Sequence, residues 1–448
     1  MSATSFPPRV PWYERLISQY RIISNILTTF SSYQQRFGEV FRVDVGSRHV
    51  YITTSADYAQ HILVRNQKNY IKDRPTRLLK VAIGNGLLTS DGAYWLRQRR
   101  LIQPAFHKAQ IEHLSQIIID ETAAQVDKWN PQQGPMDFHE AMVKLTLNVV
   151  TRSLFSSAIS EASIERVDFC FNELLKLMVA RIREPHKIAW YKLTGRMKYY
   201  DRMSEEMDEV LFDLIDRRKE DGVGEGDLLD MLYSAKDEET GESLTRQQLR
   251  DESIILFLAG HETTANGLTW TTLHLLEHPH ILQKVREEIQ TVLGDTPVQF
   301  QHLKQLSYLR RVILESMRLS PPAWVIGRQA LKADQVGELS LQPTENMTIF
   351  IYGLHRNPAY WDSPEEFRPE RFLPENIKAR HSYAYLPFGG GPRLCIGNQF
   401  AMVEMQIALT TMLQRYDFAR TSDEVIDFDP SITLRPKTKV WMKLIPRT

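Results

Sequence analysis

The segment "LPFGGGPRLCIGNQFA", residues 386–401, places one of the two cysteines of the chain, Cys395, directly behind a glycine-rich turn. A helical pattern follows at 398–416, with an apolar stripe of Met402, Met405, Leu409, Met412 and Leu413. The thiolate is the ligating and reactive form of cysteine, and a helix N-terminus lowers the pKa of a thiol. Glycines lack a Cβ atom, so backbone N–H groups can come close to the sulfur. The segment therefore predicts a functional thiolate at Cys395.

The possible chemistry of this thiolate is narrowed by the rest of the chain. An iron–sulfur cluster or a structural zinc ion takes further cysteines, and the other one, Cys170, lies in an apolar segment and is expected in the core. A metal that takes one protein thiolate and fills its other positions from a macrocycle is haem iron. A buried structural cysteine and a nucleophile are the alternatives. The pattern Phe-x-x-Gly-x-Arg-x-Cys-x-Gly, over residues 388–397, favours the haem ligand.

Composition and charge are those of a soluble globular protein. The 448 residues are 42% hydrophobic and 25% charged, and 55 basic side chains balance 55 acidic ones. This balance gives no reason to expect a nucleic acid partner. Two cysteines cannot form a disulfide framework, which favours a reducing compartment, and we expect a cytoplasmic location. The N-terminus lacks the apolar core of a signal peptide, and no apolar run approaches the ~20 residues of a membrane span.

Hydrophobic periodicity predicts a mainly α fold with a long buried central helix and small β-sheets at one side. Residues 40–54 predict a hairpin with Gly46 near its turn. A length prior of about 150 residues per domain would give roughly three domains, but no linker, repeat or low-complexity segment divides the chain. We therefore expect one domain over residues 1–448, with helical parts at about 92–320 and 398–416 and β-rich parts at about 39–54, 324–352 and 417–446.

An amphipathic stripe lies near the N-terminus. Its apolar members have helical spacing and are Leu16, Tyr20, Ile23, Leu27 and Phe30. We expect this stripe to pack on the core, and contact with a membrane surface or a partner is the alternative.

The stretch "FLAGHETTANGLTW", residues 257–270, breaks the rules of a buried helix. It follows a fully apolar run, and then Gly260 and the polar cluster Glu262, Thr263 and Thr264 interrupt it. A glycine in a helix interior costs about 1 kcal/mol relative to alanine, and buried polar groups cost more unless they have partners. Such local violations often mark functional sites. A surface helix with one polar side is the alternative.

Two further stretches carry residue pairs on one helical face. In "ILESMRLSPPAW", Glu315 and Arg318 have i, i+3 spacing among apolar neighbours, so this ion pair is expected to be buried, although such a pair alone is usually a surface pair. In "YWLRQRR", Trp95 and Arg99 have i, i+4 spacing and point the same way.

These stretches, in this order, resemble the motifs of the cytochrome P-450 family, the haem-thiolate monooxygenases. The resemblance implies that Cys395 is the axial ligand of haem iron, and that Thr263 is the oxygen-activating alcohol with Glu262 as the acid of a proton-delivery pair. Arg328 is a further candidate for a haem propionate, and could instead face substrate or solvent. The implied haem-binding residues are Trp95, Arg99, Ala259, Gly260, Arg328, Phe388, Gly389, Arg393, Cys395 and Gly397.

The resemblance also implies a structural network and a substrate pocket. Arg371, in "EEFRPERF", would complete a network with Glu315 and Arg318 that locks the segment before the haem loop. The pocket walls carried over by position are Leu78, Leu88, Phe257, Ala323, Trp324, Val325, Ile326, Ile432 and Leu434. These walls are mostly apolar, so we expect a hydrophobic substrate such as a fatty acid, a terpenoid or a carotenoid.

The expected function is a haem b monooxygenase that inserts one atom of dioxygen into a C–H bond. We expect a soluble, bacterial-type monomer without a membrane anchor or a fused reductase. A separate ferredoxin or flavodoxin with an NAD(P)H reductase would supply electrons, steered by basic residues at Arg97, Arg100 and Lys108. A peroxide-driven haem-thiolate enzyme, which would not need the Glu262–Thr263 pair, and a non-enzymatic haem-based sensor or carrier are the alternatives.

Overall fold

The computed structural model describes residues 6–45, 48–156, 159–183, 185–221 and 226–447. It confirms the predicted mainly α fold with a long central helix and small sheets. The turn predicted near Gly46 lies outside the described residues.

The elements follow one another in a chain that is helical through its middle. The α-helices are α1 (Trp12–Phe37), α2 (Ala56–Gln60), α3 (Arg74–Leu78), α4 (Lys80–Ile83), α5 (Gly92–Ile102), α6 (Lys108–Asp127), α7 (Phe138–Phe155), α8 (Glu161–Arg183), α9 (Pro185–Leu193), α10 (Arg196–Asp221), α11 (Leu228–Ser234), α12 (Arg246–Glu277), α13 (Pro279–Leu293), α14 (Ser307–Leu319), α15 (Ile351–Leu354), α16 (Pro374–Ala379) and α17 (Asn398–Arg415). The strands are β1 (Val40–Val45), β2 (Arg48–Thr53), β3 (Tyr70–Lys72), β4 (Met136–Asp137), β5 (Val325–Ala330), β6 (Asp334–Val336), β7 (Leu339–Leu341), β8 (Asn346–Phe350), β9 (Tyr416–Arg420), β10 (Phe428–Pro430), β11 (Leu434–Pro436) and β12 (Trp441–Pro446).

Helix α12 is the centre of the helical part. It begins with a capping box, in which the side chains of Thr245 and Gln248 each accept a hydrogen bond from the backbone N–H of the other residue. Buried residues lie on all sides of α12, as expected of a helix surrounded by protein, and it packs against α7, α10, α14 and α17. Its polar residues Thr264 and Asn266 are buried, so the alternative of a surface helix is wrong.

The strands form small sheets whose pairing brings distant residues together. The largest sheet has the order β1-β2-β8-β5-β3, in which β2 and β8 are parallel and the other neighbours are antiparallel. Strands β4, β12 and β9 form a second sheet, and β10–β11 and β6–β7 are hairpins. Strands β3 and β4 lie outside the predicted β-rich parts, because segments of three and two residues carry no periodic signal.

The N-terminal helix is not the single straight stripe that the sequence suggested. Asn25 has φ −156° and ψ 74°, which breaks α1 into two segments. Leu27 and Phe30 of the second segment are buried beside Phe41 and Phe350, which supports packing on the core. The side chains of Leu16, Tyr20 and Ile23 lie outside the described residues.

A buried ion pair fixes the segment that leads from β8 to the glycine-rich loop. Arg318 of α14 is fully buried and donates two hydrogen bonds of 2.8 Å to the carboxylate of Glu315. Its guanidinium also donates to the backbone carbonyls of His355, Pro364 and Glu366. The guanidinium of Arg371 lies 3.3 Å from Glu315. The structure thus brings together the three residues of the predicted network.

His355, which the sequence did not single out, joins this network to the loop. Burial, and then the charge of Arg318, hold the pKa of His355 well below its usual range. The neutral ring has one donor and one acceptor nitrogen: Nδ1 lies 3.2 Å from the carbonyl oxygen of Arg318, and Nε2 accepts a 2.8 Å hydrogen bond from the backbone N–H of Leu386. Leu386 is the first residue of the glycine-rich segment, so the loop begins at a point fixed by α14.

Removal of one partner of the buried pair should strongly destabilise the protein. Glu315→Ala leaves the guanidinium of Arg318 buried without its carboxylate, and we expect the free energy of unfolding to fall by about 3–5 kcal/mol. Urea denaturation followed by the helical circular dichroism signal measures this. Arg310→Ala, at an exposed arginine of the same helix, is the matched control and should change stability by less than about 0.5 kcal/mol. Equal, small effects of both variants would contradict a structural role for Glu315.

Candidate active site

The glycine-rich loop is shaped by close packing. Gly389 and Gly391 have φ of +73° and +67°, a region that side chains disfavour. A Cβ atom on Gly391 would lie 2.0 Å from the carbonyl oxygen of Leu63, in a π-helical turn. The glycines therefore allow the turn and this approach to Leu63, and the expected approach of their N–H groups to the sulfur stays a prediction. The backbone N–H of Cys395 donates to the carbonyl oxygen of Phe388 at 2.9 Å, which closes the loop.

Cys395 sits at the end of this loop, in front of α17. Burial raises the pKa of its thiol, while a backbone hydrogen bond from Gly397 and the charge of Arg99 act in the opposite direction. The sequence predicted a lowered pKa, but the desolvation of the thiol outweighs the backbone donor and the charge of Arg99. The side chain nevertheless keeps exposed surface within dense surroundings, as does Ala259 of the buried helix α12. Both residues therefore keep surface that a bound group could contact.

The polar turn of α12 has its side chains held by internal hydrogen bonds. Thr263 Oγ1 donates to the carbonyl oxygen of Ala259 at 2.7 Å, and Glu262 Oε1 accepts from Thr433 Oγ1 at 2.6 Å. Close packing explains why residue Gly260 has no side chain, because a Cβ atom there would lie 2.6 Å from Val150 of α7. The absent side chain of Gly260 thus serves the contact of α12 with α7, and its place at the haem stays a prediction.

Trp95 and Arg99 of α5 face the loop, but they do not play the same part. The guanidinium of Arg393 lies over the ring of the buried Trp95 at 4.2 Å and donates to Asp91 Oδ1 at 2.8 Å. Arg99 instead donates to the carbonyl oxygen of Leu394 at 3.0 Å, one residue before Cys395. Arg99 therefore braces the loop beside the thiol, whereas Arg393 and Trp95 form a separate stacked pair.

Cations gather at the edge of the sheet next to this pair. The pairing of β3 with β5 places Lys72 directly opposite Arg328. Burial, and then the neighbouring charge of Arg393, lower the pKa of Arg328 to about 10, and burial followed by Arg328 and Arg393 holds the pKa of Lys72 well below its usual range. Like charges directly opposite on paired strands are destabilising. Within the described part of the chain neither Lys72 nor Arg328 forms an ion pair, although Asp73 and Asp91 lie nearby.

This cluster of cations tests whether the residues of the site fit a haem. Arg393 Nη1 is buried and has no hydrogen-bond partner among the described residues. Arg393 pairs with Asp91 through its other nitrogen, but its Nη1 is left without such a partner beside Arg328 and Lys72, which favours a further anion, and haem carries two propionates. An accessible thiol two residues from Arg393 of this cluster fits haem: Cys395 would bind the iron, and Lys72, Arg328 and Arg393 would bind the propionates. Lys72 was missed because a single lysine in a short strand carries no sequence signal.

The predicted pocket walls divide into two groups. Leu78, Leu88, Val325, Ile326, Ile432 and the exposed Ala323 keep surface that a ligand could contact. The other members are core residues: Trp324 and Leu434 are buried in the cluster with Phe30 and Phe350, and Phe257 packs on the ring of His261. The apolar surface of these three is covered by protein in this structure, so nothing in it supports their predicted place in the pocket.

The basic residues expected to steer a redox partner are partly occupied. Arg97 pairs with Glu242 and Arg100 with Glu239, both in the loop between α11 and α12. Lys108 is exposed. The predicted positive patch is thus largely neutralised by the chain's own acidic loop.

Two neighbouring carboxylates of α12 hold the segment that leads to Trp95. The backbone N–H of Asn85 donates to Asp251 Oδ2 at 2.8 Å, and that of Leu87 donates to Glu252 Oε2 at 3.1 Å. Burial raises the pKa of Glu252 to about 8 against the backbone hydrogen bond. The sequence gave no sign of this clamp, since its donors are backbone groups.

A mainly α fold around a long helix with a polar turn, and a lone cysteine in a glycine-rich loop, define the class of haem-thiolate monooxygenases. A family model described as Cytochrome P450 matches residues 5–442. The chain therefore belongs to the cytochrome P450 family and is a P450 monooxygenase, the enzyme class that uses haem.

Similar proteins come from several kinds of organism. "Cyclooctatin synthase" of Streptomyces melanosporofaciens is 34% identical over 85% of this chain and 83% of that protein. "Cyclooctat-9-en-7-ol 5-monooxygenase" of the same organism is 32% identical over 85% of this chain and 82% of that protein. "Protein LUTEIN DEFICIENT 5, chloroplastic" of Arabidopsis thaliana is 30% identical over 85% of this chain and 67% of that protein. The chain is also similar to the crystal structure of the cytochrome P450DA heme domain, with TM-score 0.89, 26% identity and coverage of 99% of this chain and 97% of that one.

These relatives do not confirm the expectation of a bacterial-type, soluble member, because a plant protein is among them. In the part of the chain that the structure describes, no helix combines the length and the apolar character of a membrane span.

The buried carboxyl of Glu252 should make stability depend on pH. Its pKa is raised from 4.5 to about 8, so its contribution is fully present below about pH 4.5 and is lost as the pH rises through about 8. Between pH 5 and 8.5 the wild type should lose up to roughly 4 kcal/mol that Glu252→Gln retains, because the amide keeps the acceptor without ionising. Urea denaturation across this range measures the difference between the two profiles. Glu165→Gln, at an exposed position, should follow the wild type, and a parallel profile for Glu252→Gln would contradict the raised pKa.

Proposed function

We propose that this P450 binds haem b through Cys395 and inserts one atom of dioxygen into a C–H bond of a hydrophobic small molecule. The observation that carries the proposal is the meeting of an accessible thiol, a cluster of cations in which the buried Nη1 of Arg393 has no partner among the described residues, and a polar turn in a buried helix. Haem, when bound, supplies the redox chemistry that activates dioxygen. The one-domain organisation over residues 1–448 is part of the proposal, and a core cluster with members from Leu79 to Leu444 supports it.

The protein's own residues would act in two groups around the haem. Lys72, Arg328 and Arg393 would bind the propionates, and this contact would relieve the repulsion between the paired strands. Cys395 would hold the iron, with Arg99 bracing the loop through the carbonyl oxygen of Leu394.

Thr263 and Glu262 would manage protons. Thr263 Oγ1 already donates its hydrogen to the carbonyl oxygen of Ala259, so its lone pairs are free to accept from a water at the reacting centre. Glu262, the half-buried residue that precedes Thr263, would connect this water to solvent. Positioned proton transfer is worth about 10²–10⁴-fold in rate. The peroxide-driven alternative would leave this pair without a use.

The substrate is proposed to be a hydrophobic small molecule such as a terpenoid, a fatty acid or a carotenoid. The accessible pocket walls are apolar, and one relative is named for a monooxygenation of cyclooctat-9-en-7-ol. A separate ferredoxin or flavodoxin with an NAD(P)H reductase would supply electrons, and docking would compete with the acidic loop at Arg97 and Arg100. A cytoplasmic location is proposed because both cysteines are free thiols.

Haem ligation by Cys395 is tested by spectroscopy. The reduced protein with carbon monoxide should show the strongly red-shifted Soret band of a thiolate ligand. Cys395→Ser should lose this band, and Cys170→Ser, at a fully buried cysteine of α8, should keep it. A spectrum typical of histidine-ligated haem in the wild type would refute the assignment.

Proton delivery is tested by the ratio of hydroxylated product to reductant consumed, with a reconstituted redox partner. Thr263→Ala should keep the thiolate band and substrate binding, but this ratio should fall by about 10-fold or more while hydrogen peroxide rises. Thr271→Ala removes a buried hydroxyl that bonds only to Gly267 within the same helix, and it should leave the ratio unchanged. An unchanged ratio in Thr263→Ala, and also in the Glu262→Gln, Thr263→Ala double variant, would remove both residues from the proposed role.

A further inference from the structure

One stripe of α12 is hydrogen-bonded to the turn of the β10–β11 hairpin. Glu262, Asn266 and Trp270 have i, i+4, i+8 spacing and lie on the same face of the helix. Trp270 Nε1 donates to the carbonyl oxygen of Leu434 at 3.1 Å, and Asn266 Nδ2 donates to Thr433 Oγ1 at 3.1 Å. Thr433 Oγ1 in turn donates to Glu262 Oε1 at 2.6 Å.

The direction of these bonds is fixed by the groups themselves. Asn266 has no exposed surface and Thr433 is 7% exposed. The amide nitrogen of Asn266 can only donate, so the hydroxyl of Thr433 accepts from it. The single hydrogen of that hydroxyl is then directed to the carboxylate of Glu262. Asn266 thus determines that Thr433 serves Glu262 as a donor.

The hairpin turn that carries Thr433 is itself held on its other side. Trp324 Nε1 donates to the carbonyl oxygen of Ser431 at 3.2 Å, and the backbone N–H of Leu434 donates to the carbonyl oxygen of Pro322 at 2.9 Å. The position of the Thr433 hydroxyl therefore does not depend on Glu262. This hydroxyl is a fixed donor to which the flexible side chain of Glu262 is hydrogen-bonded.

A partly exposed glutamate has several rotamers, and only some of them bring its carboxylate to the proton path. A fixed donor selects one of them in advance, which removes the entropy cost of ordering the side chain during reaction. We propose that Thr433, oriented by Asn266, is a positioning residue that holds Glu262 in the rotamer used for proton delivery. This rests on the proposed function and adds to it a contribution from a separate β-hairpin.

Thr433→Val tests the proposal, because valine keeps the shape and removes the hydroxyl. We expect the ratio of product to reductant to fall about 3- to 30-fold, which is less than the loss expected when a general acid is removed. The solvent deuterium isotope effect on product formation should become larger. Thr433→Ser should restore both. Thr272→Val, which removes a buried α12 hydroxyl bonded only to Leu268, is the matched control. The carbon monoxide band and substrate binding should be unchanged throughout.

Asn266→Asp provides a second, independent variant. The new carboxylate accepts instead of donating, so it draws the hydroxyl hydrogen of Thr433 away from Glu262, and the same fall in the ratio is expected. In the Glu262→Gln background, Thr433→Val should have less than a twofold further effect, because it acts through Glu262. Full additivity, or a wild-type ratio and isotope effect in both Thr433→Val and Asn266→Asp, would overturn the proposal. If Glu262→Gln and Thr263→Ala themselves leave the ratio unchanged, the proposed proton-delivery function fails instead.

Discussion

The guanidinium of Arg318 is the contact on which the architecture of the site depends. A charge with no exposed surface is tolerated only when its N–H groups have partners, and Arg318 finds them in Glu315 and in the carbonyls of the segment before the glycine-rich loop. The helix α14 therefore dictates the path of that segment. His355 carries the constraint onward, because its Nε2 accepts from the N–H of Leu386, where the loop with Cys395 begins.

The sequence was informative where a site is local. The pair Glu315 and Arg318 lies within one helical turn, the loop around Cys395 within one short segment, and the polar turn of α12 within one helix. The spacing of each, together with its neighbours in sequence, therefore indicated it. The fold class followed from long helical patterns for the same reason. Lys72 and Thr433 could not be found this way, because Lys72 meets Arg328 only when β3 pairs with β5, and Thr433 meets Glu262 only when a hairpin packs on α12.

For some residues that the sequence singled out, the structure adds a packing role. The missing Cβ atoms of Gly260 and Gly391 admit Val150 and Leu63. A glycine in a sequence indicates a close approach and does not say which element approaches. The same limit applies to Trp324 and Leu434, whose apolar character fits a pocket wall and a core equally well, and the distinction depends on the cluster around Phe350.

The two groups of buried arginines show what separates a structural charge from one that binds a ligand. Around Arg318 the donors are matched by a carboxylate and backbone carbonyls, so adding an anion there would displace partners that already exist. Around Arg328 the nearest strand neighbour is another cation, Lys72, and Arg393 Nη1 has no partner among the described residues. Such repulsion opposes folding, and Asp91, which pairs with Arg393, leaves this Nη1 without a partner, so a further anion would stabilise the arrangement. Whether a buried charge has all its hydrogen-bond partners, more than how deeply it is buried, therefore indicates where the protein binds a ligand.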